Sequence, residues 1–221
     1  MIVDLHAHIL PGLDNGCPTR LVAIRQLLHA QRAGIDVIAA TSEYDPTTAL
    51  PKDFLHRREE AMEHLRLTLQ PGMPRVVPGA EVLWCPGLEK LSALESLCIG
   101  AGSLLLRVQP GESIHAVAES IAALKTRLPG EVLLSNAETL APEDAALLFS
   151  KGARCVLPLA ALEHKAELKA FLPWFEQGHV AALGSAIRGE ARAYRKLRKI
   201  ARRLGEHYDA VMNTAVGIVS E

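Results

Sequence analysis

Short apolar runs alternate with longer amphipathic stretches along the whole chain. The short runs predict strands over Ile2–Leu5, Val37–Ala40, Val76–Val82, Leu104–Val108, Glu131–Leu134, Arg154–Leu157 and Val180–Leu183. Between them the pattern predicts helices over Arg20–Ala33, Lys52–Leu69, Ser113–Arg127, Pro142–Ser150 and Glu163–Gln177, then Glu190–Leu204 and a short helical tail from Glu206. Gly34, Gly130, Gly152 and Gly178 each stand where a helix should stop before the next strand. This alternation signals α/β architecture. Seven strands, each followed by a helix or helical turn, suggest a distorted (β/α) barrel more than a flat sheet, with a doubly wound sheet as the alternative. No linker, repeat or low-complexity segment interrupts the pattern, so residues 1–221 are read as one domain.

Composition narrows the function classes. At 221 residues and 49% hydrophobic, the chain can bury one sizeable core. A net charge of −1 gives no general attraction to nucleic acid or acidic membranes. Cys17, Cys85, Cys98 and Cys155 are widely spaced, which argues against a structural zinc site and a disulfide scaffold. Asp4 and His6 interrupt the first apolar run, so it does not read as a signal peptide. No apolar stretch is long enough to span a bilayer, and a cytoplasmic location is the expectation.

The first sixteen residues, MIVDLHAHILPGLDNG, hold the clearest chemistry. His6 and His8 stand two apart on a strand, so both imidazoles face one side. Asp14 follows on the next loop, and this grouping suits a catalytic metal. In barrels, chemistry gathers at the C-terminal ends of the strands. Those ends hold Thr41-Ser42-Glu43, Gly79-Ala80-Glu81, Arg107, Ser135 and Gly184-Ser185-Ala186-Ile187. Glu81 lies inside an apolar strand, where an unpaired carboxylate is costly.

The segment DLHAHILPGLDNG resembles the opening of the PHP (polymerase and histidinol phosphatase) superfamily. It is most similar to the manganese-dependent bacterial protein tyrosine phosphatases of capsule and exopolysaccharide operons. The similarity continues through Ala33-Gly34, Ala40-Thr41-Ser42 and Gly79-Ala80-Glu81, and spans nearly the whole chain. It implies a distorted seven-stranded (β/α) barrel and metal-assisted hydrolysis of phosphoric monoesters. It places His6, His8 and Glu81 at metal-ligand positions, with Asp14 in the acidic turn and Glu43 where the family has a histidine. It places Arg192 at a phosphate-binding arginine.

Other family positions depart from the pattern. Asn15 replaces the second acid of the turn, Arg107 a bridging glutamate, Ser135 a histidine, and Glu138 a phosphate-binding arginine. Ser185 and Ile187 replace an aspartate and a histidine. The resemblance therefore implies a catalytically impaired relative holding one divalent ion (manganese, zinc or iron) or none. A non-catalytic regulatory protein and a single-metal hydrolase with a changed substrate are the alternatives. Arg107 is expected to pair bidentately with Glu81 or Glu43. Ser135 and Ser185 read as small replacements, and Trp84 as core or pocket mouth. No cysteine is followed six positions later by arginine, so the thiol-based phosphatase loop is absent. The implied partner is a phosphotyrosine-bearing protein or tyrosine kinase. The basic run from Arg188 to Arg203 reads as a solvated face or an anion surface.

Overall fold

The computed structural model describes residues 1–189 and 193–220. The strands are β1 (Val3–Ala7), β2 (Val37–Ala40), β3 (Glu43–Tyr44), β4 (Arg75–Pro78), β5 (Glu81–Leu83), β6 (Leu104–Arg107), β7 (Val132–Leu134), β8 (Arg154–Pro158) and β9 (Val180–Gly184). The helices are α1 (Arg20–Ala33), α2 (Pro51–Arg66), α3 (Ile114–Arg127), α4 (Pro142–Ser150), α5 (Lys165–Glu176), α6 (Leu197–Leu204) and α7 (Glu206–Val219). The paired strands are all parallel and form two sheets, ordered β1-β2-β4 and β3-β5-β6-β7-β8-β9.

Nine strands replace the seven expected because the run over Val76–Val82 breaks into β4 and β5, and at the same level Glu43–Tyr44 adds a short strand beyond Val37–Ala40. Ala40 pairs with Pro78 at the end of one sheet, and Glu43 pairs with Glu81 at the start of the other. Pro78 has no N–H with which to extend the ladder. Gly79 follows at a close approach, where a Cβ would stand 2.6 Å from Ile99 Cγ1. Two hydrogen bonds bridge the break, Gly79 N–H to Ala40 O at 3.1 Å and Glu81 N–H to Ser42 O at 3.0 Å. At the other margin, Ala186 N–H donates to His6 O at 2.7 Å and His8 N–H to Ile187 O at 3.1 Å.

The helices begin and end on local signals. Thr19 caps α1 by accepting from Val22 N–H, and Gly34 at φ 85° turns the chain out of it. Ser113 caps α3, while Pro51 and Pro142 open α2 and α4, where a missing N–H costs nothing. Ala23, Gln26, Leu27 and Ala30 form the buried face of α1 at helical spacing.

The expected short tail is a full helix. Tyr208, Val211, Met212, Ala215, Ile218 and Val219 of α7 are buried. Its last turn packs on a cluster that takes Val3 and Leu5 from β1, Val37 and Ala39 from β2, and Val77 from β4. Leu105, Leu133, Val156 and Ala181, from β6, β7, β8 and β9, join the same cluster. The helix expected over 190–204 is confined to Leu197–Leu204 among the described residues. All four cysteines are free, and no described helix is long and apolar enough to cross a membrane.

Candidate metal centre

The C-terminal end of β1 sets the site. Asp4, His6 and His8 alternate onto one face of the strand, and all three are buried. His6 Nε2 and His8 Nε2 stand 3.1 Å apart. Glu81, the first residue of β5, brings Oε1 to 3.4 Å from His6 Nε2 and Oε2 to 3.5 Å from His8 Nε2. Its side chain is 1% exposed, and Oε2 has no hydrogen-bond partner among the described residues.

These spacings are a test of fit for a metal. Two ligand atoms at about 2.0–2.2 Å from one ion stand roughly 3–3.5 Å apart at tetrahedral angles. The two imidazole nitrogens meet that condition at 3.1 Å, and each meets it with one oxygen of Glu81, His6 with Oε1 at 3.4 Å and His8 with Oε2 at 3.5 Å. Two imidazole nitrogens aimed at each other, beside a carboxylate oxygen lacking a hydrogen, form a donor set lacking its acceptor. His6, His8 and Glu81 therefore fit a divalent ion. Glu43 stands outside that group, with its side chain 35% exposed.

Asp14 orients His8. Its Oδ2 accepts from His8 Nδ1 at 2.8 Å and from Glu43 N–H at 2.8 Å, and Oδ1 accepts from Gly16 N–H at 2.7 Å. A proton held on Nδ1 leaves the lone pair of His8 on Nε2, facing the site. Burial lowers the His8 pKa against the pull of Asp14, so the imidazole is neutral at pH 7. Burial would raise the Asp14 carboxyl, but the bonds from His8, Glu43 and Gly16 hold it below its ordinary value. Burial opposes Glu81 likewise, yet His6, Ser135 and His8 hold its carboxyl well below the usual carboxylate range.

Two arginines complete the surroundings. Arg107, at the end of β6, points into the cavity with Nη1 3.6 Å from Glu81 Oε2 and 3.7 Å from Glu43 Oε2. The expected bidentate pair does not form, because one nitrogen is shared between two carboxylates at more than hydrogen-bond length. Arg188 meets the same two oxygens, its Nη2 3.5 Å from Glu81 Oε2 and 3.6 Å from Glu43 Oε2. In the sequence Arg188 is the first residue of the basic run. It directly follows Ile187, so carrying the strand-end reading one residue further reaches it.

The serines do more than fill space. Ser135 Oγ donates to Glu81 Oε1 at 2.6 Å. Ser185 N–H donates to Asp4 Oδ1 at 2.8 Å, and Ser185 Oγ accepts from Ile187 N–H at 3.2 Å. Asp4 also accepts from Tyr194 OH at 2.6 Å, and burial raises its carboxyl despite these bonds. Burial raises Glu138 too, and its Oε2 has no hydrogen-bond partner among the described residues. Trp84 is a core residue. Arg192 lies outside the described residues.

Residues 2–127 match the family of capsular polysaccharide synthesis proteins CpsB/CapC, which is more than half of the chain. The chain belongs to that family. The crystal structures of YwqE from Bacillus subtilis and CpsB from Streptococcus pneumoniae, metal-dependent tyrosine phosphatases, supply a similar chain at 18% identity. It aligns with a TM-score of 0.81 over 99% of this chain and 94% of its own length. Histidinol phosphate phosphatase from Lactococcus lactis, complexed with zinc, L-histidinol and phosphate, aligns at 10% identity with a TM-score of 0.58. That alignment covers 92% of this chain and 94% of the other. A mutant organophosphorus hydrolase from Deinococcus radiodurans aligns at 10% identity and TM-score 0.54, over 99% of this chain and 92% of its own. No curated protein sequence matches the chain. The resemblance of the CpsB/CapC chain to PHP proteins and capsule-type phosphatases is thereby borne out.

Proposed function

We propose that this CpsB/CapC protein is a one-ion phosphoric monoester hydrolase, slower than relatives with multinuclear centres, acting on phosphotyrosine in a partner protein such as a tyrosine kinase. The observation that carries the reading is the convergence of His6 Nε2, His8 Nε2 and the Glu81 carboxylate at 3.1, 3.4 and 3.5 Å. These three residues would hold the ion, which when bound supplies a Lewis acid for the phosphoryl oxygens. Asp14 keeps the His8 Nδ1 proton in place, and Ser135 fixes the rotation of Glu81.

Charge supports a single ion. Asp14, Glu43 and Glu81 oppose Arg107 and Arg188, which leaves one negative charge before an ion enters. One divalent ion reverses that to one positive charge, suited to an anionic substrate. A second would have to approach two guanidiniums, and Glu138, the further described carboxyl near Arg107, is pushed by burial toward its neutral form. Ser185 and Ile187 offer no replacement, since their backbones are tied to Asp4 and His8.

The same reading treats the two sheets as one distorted barrel with seven strand positions. β3 continues β2, and β5 continues β4, across the bridged break, and the Ala186 and His8 hydrogen bonds join β1 to the end of β9. Seven strands feed side chains into one interior cluster, which supports closure and a single domain over residues 1–221.

The test is metal stoichiometry by plasma mass spectrometry on manganese-loaded, desalted protein, followed by phosphotyrosine-peptide hydrolysis. One ion per chain, with hydrolysis abolished in His6→Ala, is the expected result. Two or three ions would overturn the one-ion reading. No ion and no turnover would favour the non-catalytic alternative, for which the non-ligating Ser185 and Ile187 speak.

A further inference from the structure

We propose that Arg107 and Arg188 form a clamp for the phosphoryl oxygens of a monoester, at positions other than the family's own phosphate-binding arginines. The clamp deepens the one-ion reading, because it supplies positive charge that further metal ions would otherwise bring. The two side chains come from different elements, one from the end of β6 and one from the segment after β9. Both converge on the same two oxygens, Glu81 Oε2 and Glu43 Oε2, at 3.5–3.7 Å.

Those distances argue for a ligand. A guanidinium serving only as counterion closes to about 2.7–2.9 Å, usually through two parallel bonds. Here neither Arg107 nor Arg188 donates a side-chain hydrogen bond among the described residues, their nearest carboxylate oxygens standing 3.5–3.7 Å away, so their N–H groups are open to an acceptor. The side chains are 39% and 36% exposed while Glu81 is 1% exposed. An anion entering from solvent therefore meets the arginines before it meets Glu81, with Glu43 beside them at the mouth. A cleft of about 300 Å³, lined by Glu163, Ser185, Ile187, Arg188 and small side chains, opens beside Arg188, and its one carboxylate, Glu163, is paired with Lys196. That volume admits a phosphorylated side chain rather than phosphate alone.

The backbone aims Arg188. Ala186 adopts φ 48°, a left-handed conformation that a residue with a Cβ rarely takes. It is held there by Ala186 N–H donating to His6 O, Ile187 N–H to Ser185 Oγ, and Ser185 N–H to Asp4 Oδ1. Strain fixed by surrounding hydrogen bonds is common at ligand clamps.

Two affinities moving in opposite directions test the clamp. Inorganic phosphate and O-phosphotyrosine are titrated by calorimetry into ion-free and manganese-loaded protein, and manganese into ion-free protein. Arg188→Gln and Arg107→Gln should each weaken phosphate binding roughly ten- to hundredfold, as expected for charge-assisted hydrogen bonds. The same variants should bind manganese more tightly, because a cation beside Glu81 is gone. Arg188→Lys should recover only part of the phosphate affinity, since it loses the planar fork. Arg198→Gln on α6 should leave both affinities unchanged. Phosphate affinity unchanged in both Gln variants would overturn the clamp while leaving the one-ion reading intact. A fall in both affinities in both variants would overturn it as well. Absence of manganese binding, with arginine-dependent phosphate binding retained, would sink the one-ion reading and keep the clamp.

Discussion

Replacing Asp14 by Asn separates the carboxylate's charge from its shape. Asp14 accepts three hydrogen bonds, from His8 Nδ1, Glu43 N–H and Gly16 N–H, and its side chain is 6% exposed. An amide has one acceptor oxygen. With its NH₂ at the Oδ1 position it faces the Gly16 N–H, and at the Oδ2 position it faces the Glu43 N–H. Either way one bond to a charged acceptor is lost, at about 1.5–3 kcal/mol, and the others weaken to neutral strength. The expected destabilisation is about 3 kcal/mol, or roughly 6–12 °C in Tm for a chain of this size. The pH dependence follows from the lowered Asp14 pKa. Its contribution is present above the unfolded carboxylate value, about 3.9, and is lost as pH falls through the folded value. Thermal unfolding of both proteins from pH 8 to pH 3 should therefore show a gap that is wide at neutral pH and closes in acid. With the amide at Oδ2, the His8 proton would also move to Nε2, and manganese affinity should fall about 10- to 100-fold. A Tm difference below about 2 °C at pH 7.5, or one that persists undiminished at pH 3, would refute the reasoning.

Three other variants probe the same frame. Gly184→Ala would place a Cβ 2.5 Å from His6 Cβ, so we expect about 1–3 kcal/mol of destabilisation and weaker manganese binding, by denaturant titration and calorimetry. Ser135→Ala removes the 2.6 Å bond to Glu81 and should cost about 1–2 kcal/mol, with hydrolysis reduced but measurable; an unaltered unfolding midpoint would contradict it. Glu138 has a raised carboxyl, so what its protonated form contributes is complete below the unfolded value and is lost as pH rises through the folded one. Glu138→Gln should therefore raise Tm by about 2–4 °C at pH 8 and have little effect near pH 4, in paired melts at the two pH values.

Local signals made most of the fold legible. Cap and stop residues such as Thr19 and Gly34 bound α1 at its expected ends, and Pro142 opens α4 where the pattern placed it. Pro78-Gly79 marks the split within Val76–Val82, but hydropathy does not record which partner strand each half meets. In the site, period-two spacing brought His6 and His8 together, and the pairing of β3 with β5 brought Glu43 beside Glu81. Glu43 nevertheless faces the arginines rather than the histidines, because side-chain direction at a strand end depends on neighbours far away in sequence. Arg188 was hidden for a similar reason. Its place is set by the left-handed turn at Ala186, which no glycine marks.

The frame of the histidines spans almost the full length of the chain. Asp4 receives Ser185 N–H from 181 residues away and Tyr194 OH from 190 residues away. During synthesis β1 is made long before the residues that hold its C-terminal end leave the ribosome. Until they do, two imidazoles and a buried-type carboxylate remain in water with no scaffold to orient them. Contacts of this range form slowly, since loop closure precedes any gain from pairing. Competence to bind metal is therefore acquired only after Ser185 and Tyr194 have emerged, and a nascent chain stopped before residue 185 would carry the ligands without the site.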